Sequence, residues 1–205
     1  MTVARRWPAQ DTYRDAIESA AATHGIPRGL AYGLVAQESG FRPGAFRSEP
    51  TYKCLATGTV GDASYGLTQV LYCTAFGLGY AGQPAGLFDP ATNLELGYRY
   101  LASLLRARDS TAAALSNYNG GYRPGLGYGA ARADGTYANQ AYVDGVLEKA
   151  AYFDSYLAAR DGVPAGSSSS AADPGNLAGA GGLLGWILSG AIFTAVLARL
   201  RKRRR

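Results

Sequence analysis

Apolar residues recur at helical spacing over most of the first 160 positions, most clearly in residues 28–39. There the apolar stripe consists of Leu30, Ala31, Leu34 and Val35. The remaining sides are also small or apolar, so we predict a helix buried all round, beginning after Pro27 and closed by Gly40. The stripe ends at Glu38. A carboxylate in that position is either a solvated helix end or an acid tuned by burial.

The same periodicity predicts most of the remaining domain. Further helices are expected from about Asp11 to Ala22 (ending at His24-Gly25), from Asp89-Pro90 to about Arg106, over residues 110–121 and over residues 139–160. No strand pattern is visible, and residues 42–63 have the Pro-, Gly-, Ser- and Thr-rich composition of an irregular loop. The prediction is therefore a mainly α-helical domain over residues 1–160.

Beyond residue 160 the composition changes twice. Residues 161–176 are rich in Gly, Ser and Pro, which is typical of a flexible linker. Residues 177–198 carry no charge, and their 22 positions suffice for a helix across a bilayer. A buried core helix is the alternative, but the segment follows a linker and precedes the basic tail, residues 199–205. We expect one C-terminal transmembrane helix and no N-terminal signal peptide.

The net charge of +5 belongs to the tail. Residues 199–205 hold six of the 20 basic residues, and without them the chain is nearly neutral. This distribution argues against a nucleic-acid-binding surface on the main domain. The basic tail is expected to stop membrane transfer, with at most weak contact to nucleic acid phosphates.

Few residues suit metal or thiol chemistry. Cys54 and Cys73 form a disulfide or remain two buried thiols, and neither lies in a metal-binding motif. The single histidine, His24, lies at a predicted helix end, where it interacts favourably with the helix dipole. We expect neither a cofactor nor a metal site.

Four short motifs occur in order along the predicted domain. They are "ESGF" at residues 38–41, "GLTQ" at 66–69, "NYNGG" at 117–121, and Tyr142-Val143 with Val146. Each alone is a weak signal, but four in this order on a helical chain are specific. In order and spacing they resemble the soluble lytic transglycosylase family, goose-lysozyme-like enzymes that cleave peptidoglycan. The resemblance covers roughly residues 10–158 and implies a lysozyme-like α-helical fold.

The resemblance gives Glu38 the place of the catalytic glutamate. Cleavage of a β-1,4 glycosidic bond needs a proton donor, and an apolar setting raises a carboxyl pKa enough to supply one near neutral pH. By the same resemblance, Ser39 hydrogen-bonds near the acid and the substrate. Tyr142 corresponds to the tyrosine expected to orient the acid; ordinary core packing is its alternative.

The resemblance also implies residues of the substrate cleft. Gln69 matches the glutamine that lines it, and Tyr118 and Asn119 match the tyrosine and asparagine of the third motif. A surface amide is the alternative for Gln69, and core packing is the alternative for Tyr118. The chain departs from the family's usual residues in having Thr68 in place of methionine, and Asn117 and Gly120 in place of alanines.

One well-placed carboxylate is enough for a lytic transglycosylase, in which the sugar's own 6-hydroxyl closes on C1 to give a 1,6-anhydromuramyl product. A hydrolytic muramidase would usually need a second carboxylate, for which Glu49 and Asp62 are candidates. A membrane-anchored protein that binds glycan without cleaving it is a third possibility.

The expected partners are peptidoglycan strands and, through residues 177–198, a lipid membrane. The layout suits a bacteriophage virion that contains a membrane, or a bacterial inner membrane with its envelope machinery, with the domain facing the cell wall. Local wall opening for phage genome entry is the biological role that we expect.

Overall fold

The computed structural model describes residues 6–162, which form one helical domain with a small sheet. The helices are α1 (Arg14–His24), α2 (Arg28–Glu38), α3 (Tyr72–Gly77), α4 (Pro90–Ala107), α5 (Thr111–Gly120) and α6 (Gln140–Arg160). Short 3₁₀ helices cover Pro84–Phe88 and Pro124–Leu126. The predicted linker, transmembrane helix and basic tail lie outside the described residues, apart from positions 161 and 162. Among the described helices, none has the length and apolar content that a bilayer crossing requires.

The helix predictions are confirmed to within a few residues. Helix α1 ends at Gly25, whose φ of +67° is the left-handed conformation that glycine adopts easily. Helix α4 begins where predicted, because the Asp89 carboxylate accepts a hydrogen bond of 2.8 Å from the Thr92 N–H. Helix α2 is buried along its whole middle, from Gly29 to Ala36.

The expectation of a loop without strands at residues 42–63 is wrong. Strand β1 (Phe46–Lys53) pairs antiparallel with β2 (Val60–Tyr65), which pairs with the short β3 (Val70–Leu71). Nearly every residue of β1 is exposed, so neither face supplies the apolar alternation by which strands are recognised. The pairing rests on the backbone ladder, with an irregularity between Glu49 and Lys53 at Pro50.

Helix α6 lies against α2 at very short range because small residues face it. A Cβ at Gly33 would lie 2.7 Å from the backbone nitrogen of Ala150, and one at Gly29 would lie 2.8 Å from the Ala150 carbonyl oxygen. Next to this contact, the rings of Trp7, Tyr32, Phe41 and Phe153 pack together. The C-terminal end of α2 and the N-terminal half of α6 therefore form one rigid wall.

Candidate active site

Glu38 is the last residue of α2 and lies where two cavities meet. The larger cavity, of about 870 Å³, runs between the β1–β2 hairpin and the segment after α5, and the smaller, of about 500 Å³, lies beside residues 42–46. Gln69 borders both cavities as well. We call the larger one the cleft; Glu38 and Gln69 lie where it meets the smaller cavity.

Burial controls the ionisation of Glu38. Loss of water around the carboxyl group raises its pKa to about 7, while the Tyr142 hydroxyl, which donates a hydrogen bond to Oε1, and the more distant positive charge of Arg47 both act to lower it. Glu38 is partly buried and its carboxyl group is bonded to Tyr142, so it is not a freely solvated helix end. Its carboxyl group can hold a proton near neutral pH and can also release it, as a general acid must.

Two tyrosines and a buried turn surround this acid. The Tyr118 hydroxyl donates a 2.9 Å hydrogen bond to the Thr68 carbonyl oxygen, which ties α5 to the turn that carries Gln69. Burial, and then the neighbouring Glu38 charge, raises the pKa values of Tyr118 and Tyr142 well above the usual one, so both remain neutral hydroxyl groups.

The turn at residues 66–69 is fixed by Asn93, which the sequence did not single out. Its Oδ1 accepts hydrogen bonds of 2.8 Å from both the N–H and the hydroxyl of Thr68, and its Nδ2 donates to the carbonyl oxygens of Tyr65 and Leu87. Asn93 is fully buried in α4. Thr68, at the family's methionine position, therefore bonds to the scaffold and does not line the cleft.

Gln69 has a positive φ of 49°, one of two such non-glycine residues in the described chain; the other is Phe41, three residues after Glu38. A residue in this conformation costs about 1–2 kcal/mol. The Gln69 Nε2 donates to the carbonyl oxygens of Ala45 and Gly66, each at 3.1 Å. The backbone strain at Gln69 is offset by these two hydrogen bonds, and the strain at Phe41 is offset by the burial of its side chain.

Asn119 lies on the cleft and its side chain is oriented by Asn139. The Asn139 Nδ2 donates a 2.9 Å hydrogen bond to Asn119 Oδ1, and its own Oδ1 accepts one of 2.7 Å from the Ser116 hydroxyl. Since the oxygen of the Asn119 amide is engaged, its NH₂ group is the part left to meet a ligand. Asn139, at the start of α6, was not recognised from the sequence.

Ser39 is the predicted residue that the structure keeps away from the cleft. It is 2% exposed, and its hydroxyl donates to the Val35 carbonyl oxygen at 3.1 Å. The reason is helical geometry, since a serine in the last turn reaches the carbonyl four residues back. Glu38, Gln69, Tyr118 and Asn119 do line the cleft, and Tyr142 reaches it through its bond to Glu38.

The two candidate second carboxylates have different surroundings. Both Asp62 oxygens accept backbone hydrogen bonds, from the N–H groups of Ala63 and Cys73 at 2.7 and 2.8 Å, and Asp62 does not line the cleft. Glu49 does line it, but is paired with Arg47 at 2.7 Å. Arg47 is a further cleft residue that the sequence did not single out.

Cys54 and Cys73 are joined in a disulfide that fastens the end of β1 to α3. His24 does not line either cavity and pairs with Glu95 at 2.8 Å. Within residues 6–162, no cluster of three His, Cys, Asp or Glu side chains is arranged to hold a metal ion.

Solved structures with a similar fold are soluble lytic transglycosylases. The 70-kDa enzyme in complex with bulgecin A aligns at 23% identity with a TM-score of 0.55, over 74% of this chain and 25% of that one. The Escherichia coli 70-kDa enzyme aligns at 22% identity with a TM-score of 0.55, over 74% of this chain and 25% of that one. An inactive Glu-to-Gln variant of Slt from Pseudomonas aeruginosa aligns at 20% identity with a TM-score of 0.51, over 75% of this chain and 25% of that one. This chain thus spans about a quarter of each enzyme's length, and the likeness establishes the fold.

A search of curated protein sequences finds no significant match. The family model described as the transglycosylase SLT domain, in contrast, matches residues 15–139, which is more than half of the chain. That range includes the acid at the end of α2, the strained turn with its glutamine, and the tyrosine and asparagine of α5. The chain belongs to the transglycosylase SLT domain family.

Proposed function

We propose that this protein is a peptidoglycan lytic transglycosylase, which cleaves the β-1,4 bond between N-acetylmuramic acid and N-acetylglucosamine. The observation that carries the proposal is Glu38, a carboxyl group that lines the cleft and whose pKa is raised to about 7 by burial. Family membership and the lysozyme-like fold support the same activity.

Glu38 acts twice in the proposed reaction. As an acid it gives its proton to the glycosidic oxygen while the bond from that oxygen to C1 of the muramyl residue breaks. The resulting carboxylate then takes the proton of the muramyl 6-hydroxyl, whose oxygen bonds to C1. The products are a free 4-hydroxyl and a 1,6-anhydromuramyl end, no water is consumed, and Glu38 is protonated again.

The neighbours of Glu38 support both halves of this cycle. Tyr142 donates to the carboxyl group and favours the ionised form that the leaving step creates, which keeps the pKa near 7 against the effect of burial. Asn119 offers its NH₂ group to the substrate, and Gln69 lines both cavities at the point where they meet.

The surroundings of the other carboxylates favour ring closure over hydrolysis. Asp62 is engaged by backbone N–H groups and lies outside the cleft lining. Glu49, paired with Arg47, is the one observation that favours the alternative, a hydrolytic muramidase in which it activates a water molecule. Product chemistry separates the two reactions, because an anhydro end is lighter by one water molecule than a hydrolysed end.

The test is digestion of purified sacculi by the full chain in mild detergent, with mass analysis of the released fragments. We expect anhydromuramyl ends, and in Glu38→Gln a loss of rate of about 10²- to 10⁴-fold. Glu148→Gln, at an exposed position on α6, is the matched control and should keep the wild-type rate. Full activity in Glu38→Gln contradicts the role of Glu38. Binding without release of fragments would instead indicate a glycan-binding protein.

We further propose that residues 177–198 anchor the protein in a virion membrane or a bacterial inner membrane, with the domain facing the cell wall. Support comes from the charge-free run of 22 residues between a Gly/Ser/Pro linker and a basic tail. Local wall opening for phage genome entry is the role that fits this layout. The full chain should float with liposomes in a density gradient, and a chain ending at residue 176 should not.

A further inference from the structure

The chain contains 15 tyrosines, and one of them is held in the cleft in an unusual way. Tyr122 lies two residues after α5, lines the cleft and is 53% exposed. Tyr100 and Tyr118, which also line it, are largely buried and pack on each other with ring centroids 5.2 Å apart. Tyr122 is therefore the tyrosine on this side of the cleft that presents substantial ring surface to a ligand.

A stack of side chains supports the Tyr122 ring from behind. The Arg108 guanidinium carbon lies 3.7 Å from the ring centroid, within the range of a close cation–π contact. Arg108 is fixed in turn, because its Nε donates a 2.9 Å hydrogen bond to Asn117 Oδ1. Asn117 is only 3% exposed, so the stack rests on the buried face of α5.

A glycine beside Tyr122, Gly129, leaves room for the tyrosine ring. A Cβ at Gly129 would lie 2.8 Å from Tyr122 Cδ2, and Gly129 has a φ of +73°, which side-chain-bearing residues rarely adopt. The ring thus has the guanidinium on one face and a glycine at its edge. Holding both Arg108 and Tyr122 in place costs conformational entropy. A tyrosine that only faced solvent would have no need of such support.

Asn117 also explains a departure from the family pattern. The resemblance places an alanine at this position, and an alanine could not accept the hydrogen bond from Arg108. The support for Tyr122 therefore uses a residue, Asn117, that departs from the family's usual alanine. Tyr122 lies three positions beyond Asn119 and lines the same cleft, so one glycan strand can contact both side chains.

We propose that Tyr122 is a stacking platform for a pyranose ring of the glycan strand. A sugar ring has an apolar face of C–H groups and polar hydroxyl edges, so it packs flat on an aromatic ring while its hydroxyls remain solvated. Arg108 and Asn117 are positioning residues that hold the platform. The opposite wall, with Tyr52 at 37% and Leu55 at 93% exposure, faces the strand from the hairpin side. The proposal deepens the proposed function and rests on it.

The test measures binding, so that catalysis does not obscure it. The parent is the full chain with Glu38→Gln, and the probe is soluble murein glycan strands freed of their peptides. Added to this parent, Tyr122→Ala should raise the Kd by about 3- to 10-fold, because an aromatic contact is lost. Tyr122→Phe should keep the parental Kd. Phe76→Ala is the matched control, since Phe76 is 44% exposed on α3 and does not line the cleft.

A double-mutant cycle tests the positioning role of Asn117. Asn117→Ala introduces the residue usual in the family, and it should weaken binding when Tyr122 is present. In the Tyr122→Ala background it should have no further effect, because there is no ring left to hold. A general structural role would instead weaken binding equally in both backgrounds, and that result would overturn the positioning role.

Failure of the platform and failure of the proposed function give different results. If the wild-type chain releases anhydromuramyl fragments from sacculi and Tyr122→Ala binds glycan as the parent does, the platform alone is wrong. If the wild type neither releases fragments nor binds the strands, the proposed function is wrong and the platform fails with it.

Discussion

Behind Glu38 the cleft wall is one helix packed on another, whereas the wall across from it is a hairpin with nearly all its side chains in solvent. Helices α2 and α6 approach so closely that Gly33 has no room for a Cβ. Seven of the eight residues of β1, in contrast, are exposed, and the disulfide at Cys54 ties the strand's end to α3. The first wall is close-packed, and the second presents its side chains to solvent.

The difference shows how the two tasks of the site are divided. The dry helical wall raises the pKa of Glu38, because burial disfavours the ionised carboxylate. The wet hairpin wall contributes the charge of Arg47 and the exposed surfaces of Tyr52 and Leu55. Burial on the helical side therefore accounts for most of the shift in the pKa of Glu38, and Arg47 of the hairpin adjusts it. Contacts with a long substrate are available on the hairpin as well as at Asn119 and Tyr122.

The largest effect should follow from forcing the helical wall apart. Gly33→Leu places a side chain where the Ala150 backbone nitrogen lies 2.7 Å from the added Cβ. We expect a loss of stability of about 3 kcal/mol or more, and loss of activity because Tyr142 no longer reaches Glu38. Gly77→Ala is the control, since nothing lies within 4 Å of its Cβ. Denaturant unfolding of both variants measures the effect; an unchanged midpoint for Gly33→Leu would refute the close packing.

The hairpin wall should respond differently when its disulfide is removed. With the cysteines 19 positions apart, the chain-entropy estimate for the double variant Cys54→Ser, Cys73→Ser is a loss of about 3 kcal/mol. Because β1 lines the cleft and carries Arg47, whose charge lowers the pKa of Glu38, we expect KM to rise and the pH profile of activity to move upward by no more than it does in Arg47→Gln. A larger shift would show that β1 also shields Glu38 from water.

Replacing Glu38 by the neutral glutamine should have a smaller effect and should raise the stability of the fold instead of lowering it. The folded-state pKa of Glu38, about 7, lies above the ordinary value of 4.5. The carboxyl group's contribution to the free energy of unfolding is therefore fully present below pH 4.5 and is lost as the pH rises through 7. Glu38→Gln avoids this loss, because glutamine does not ionise. We expect the inactive variant to be more stable than the wild type by about 2 to 3 kcal/mol at about pH 8, and nearly equal at about pH 4. Equal stability at both values would mean that the acid is not buried.

The helical wall is also the part that the sequence predicted well. Periodic apolar residues, Pro27 and the Asp89-Pro90 pair located α2 and α4 to within a residue or two. Strand β1 was missed because strand prediction relies on one buried face, and β1 buries neither. The strand is held by backbone hydrogen bonds and by the disulfide from Cys54 to Cys73, and neither leaves a periodic signal in the sequence.

The site divides in the same way. Glu38, Gln69, Tyr118, Asn119 and Tyr142 were identified by motif resemblance, and the structure brings them together around one cleft. The residues that orient them were missed, because a buried asparagine or a strand arginine has no characteristic spacing. These residues are Asn93, Asn139 and Arg47. Ser39 was expected near the substrate, but a motif does not reveal that a hydroxyl bonds back into its own helix.

The smallest and most discriminating effects concern the two neighbours that lower the pKa of Glu38. Tyr142→Phe removes the hydrogen bond to the carboxylate, so the pKa should rise and the alkaline limb of kcat/KM should move upward from about 7. Because the acid also loses its orienting contact, we expect kcat to fall by about tenfold or more. Rates measured across the pH range test both effects together.

Arg47→Gln should move the same limb upward but leave kcat nearly unchanged, because Arg47 acts on Glu38 by charge alone. Its side chain is 63% exposed, so added salt screens the interaction, and wild type and variant should converge at high ionic strength. The Tyr142→Phe shift should persist in salt, because a direct hydrogen bond in the dry wall is screened little. If both shifts vanished in salt, Tyr142 would also act from a solvated position, and the contrast between the two walls would fail. If neither did, Arg47 would approach Glu38 more closely than its exposure allows.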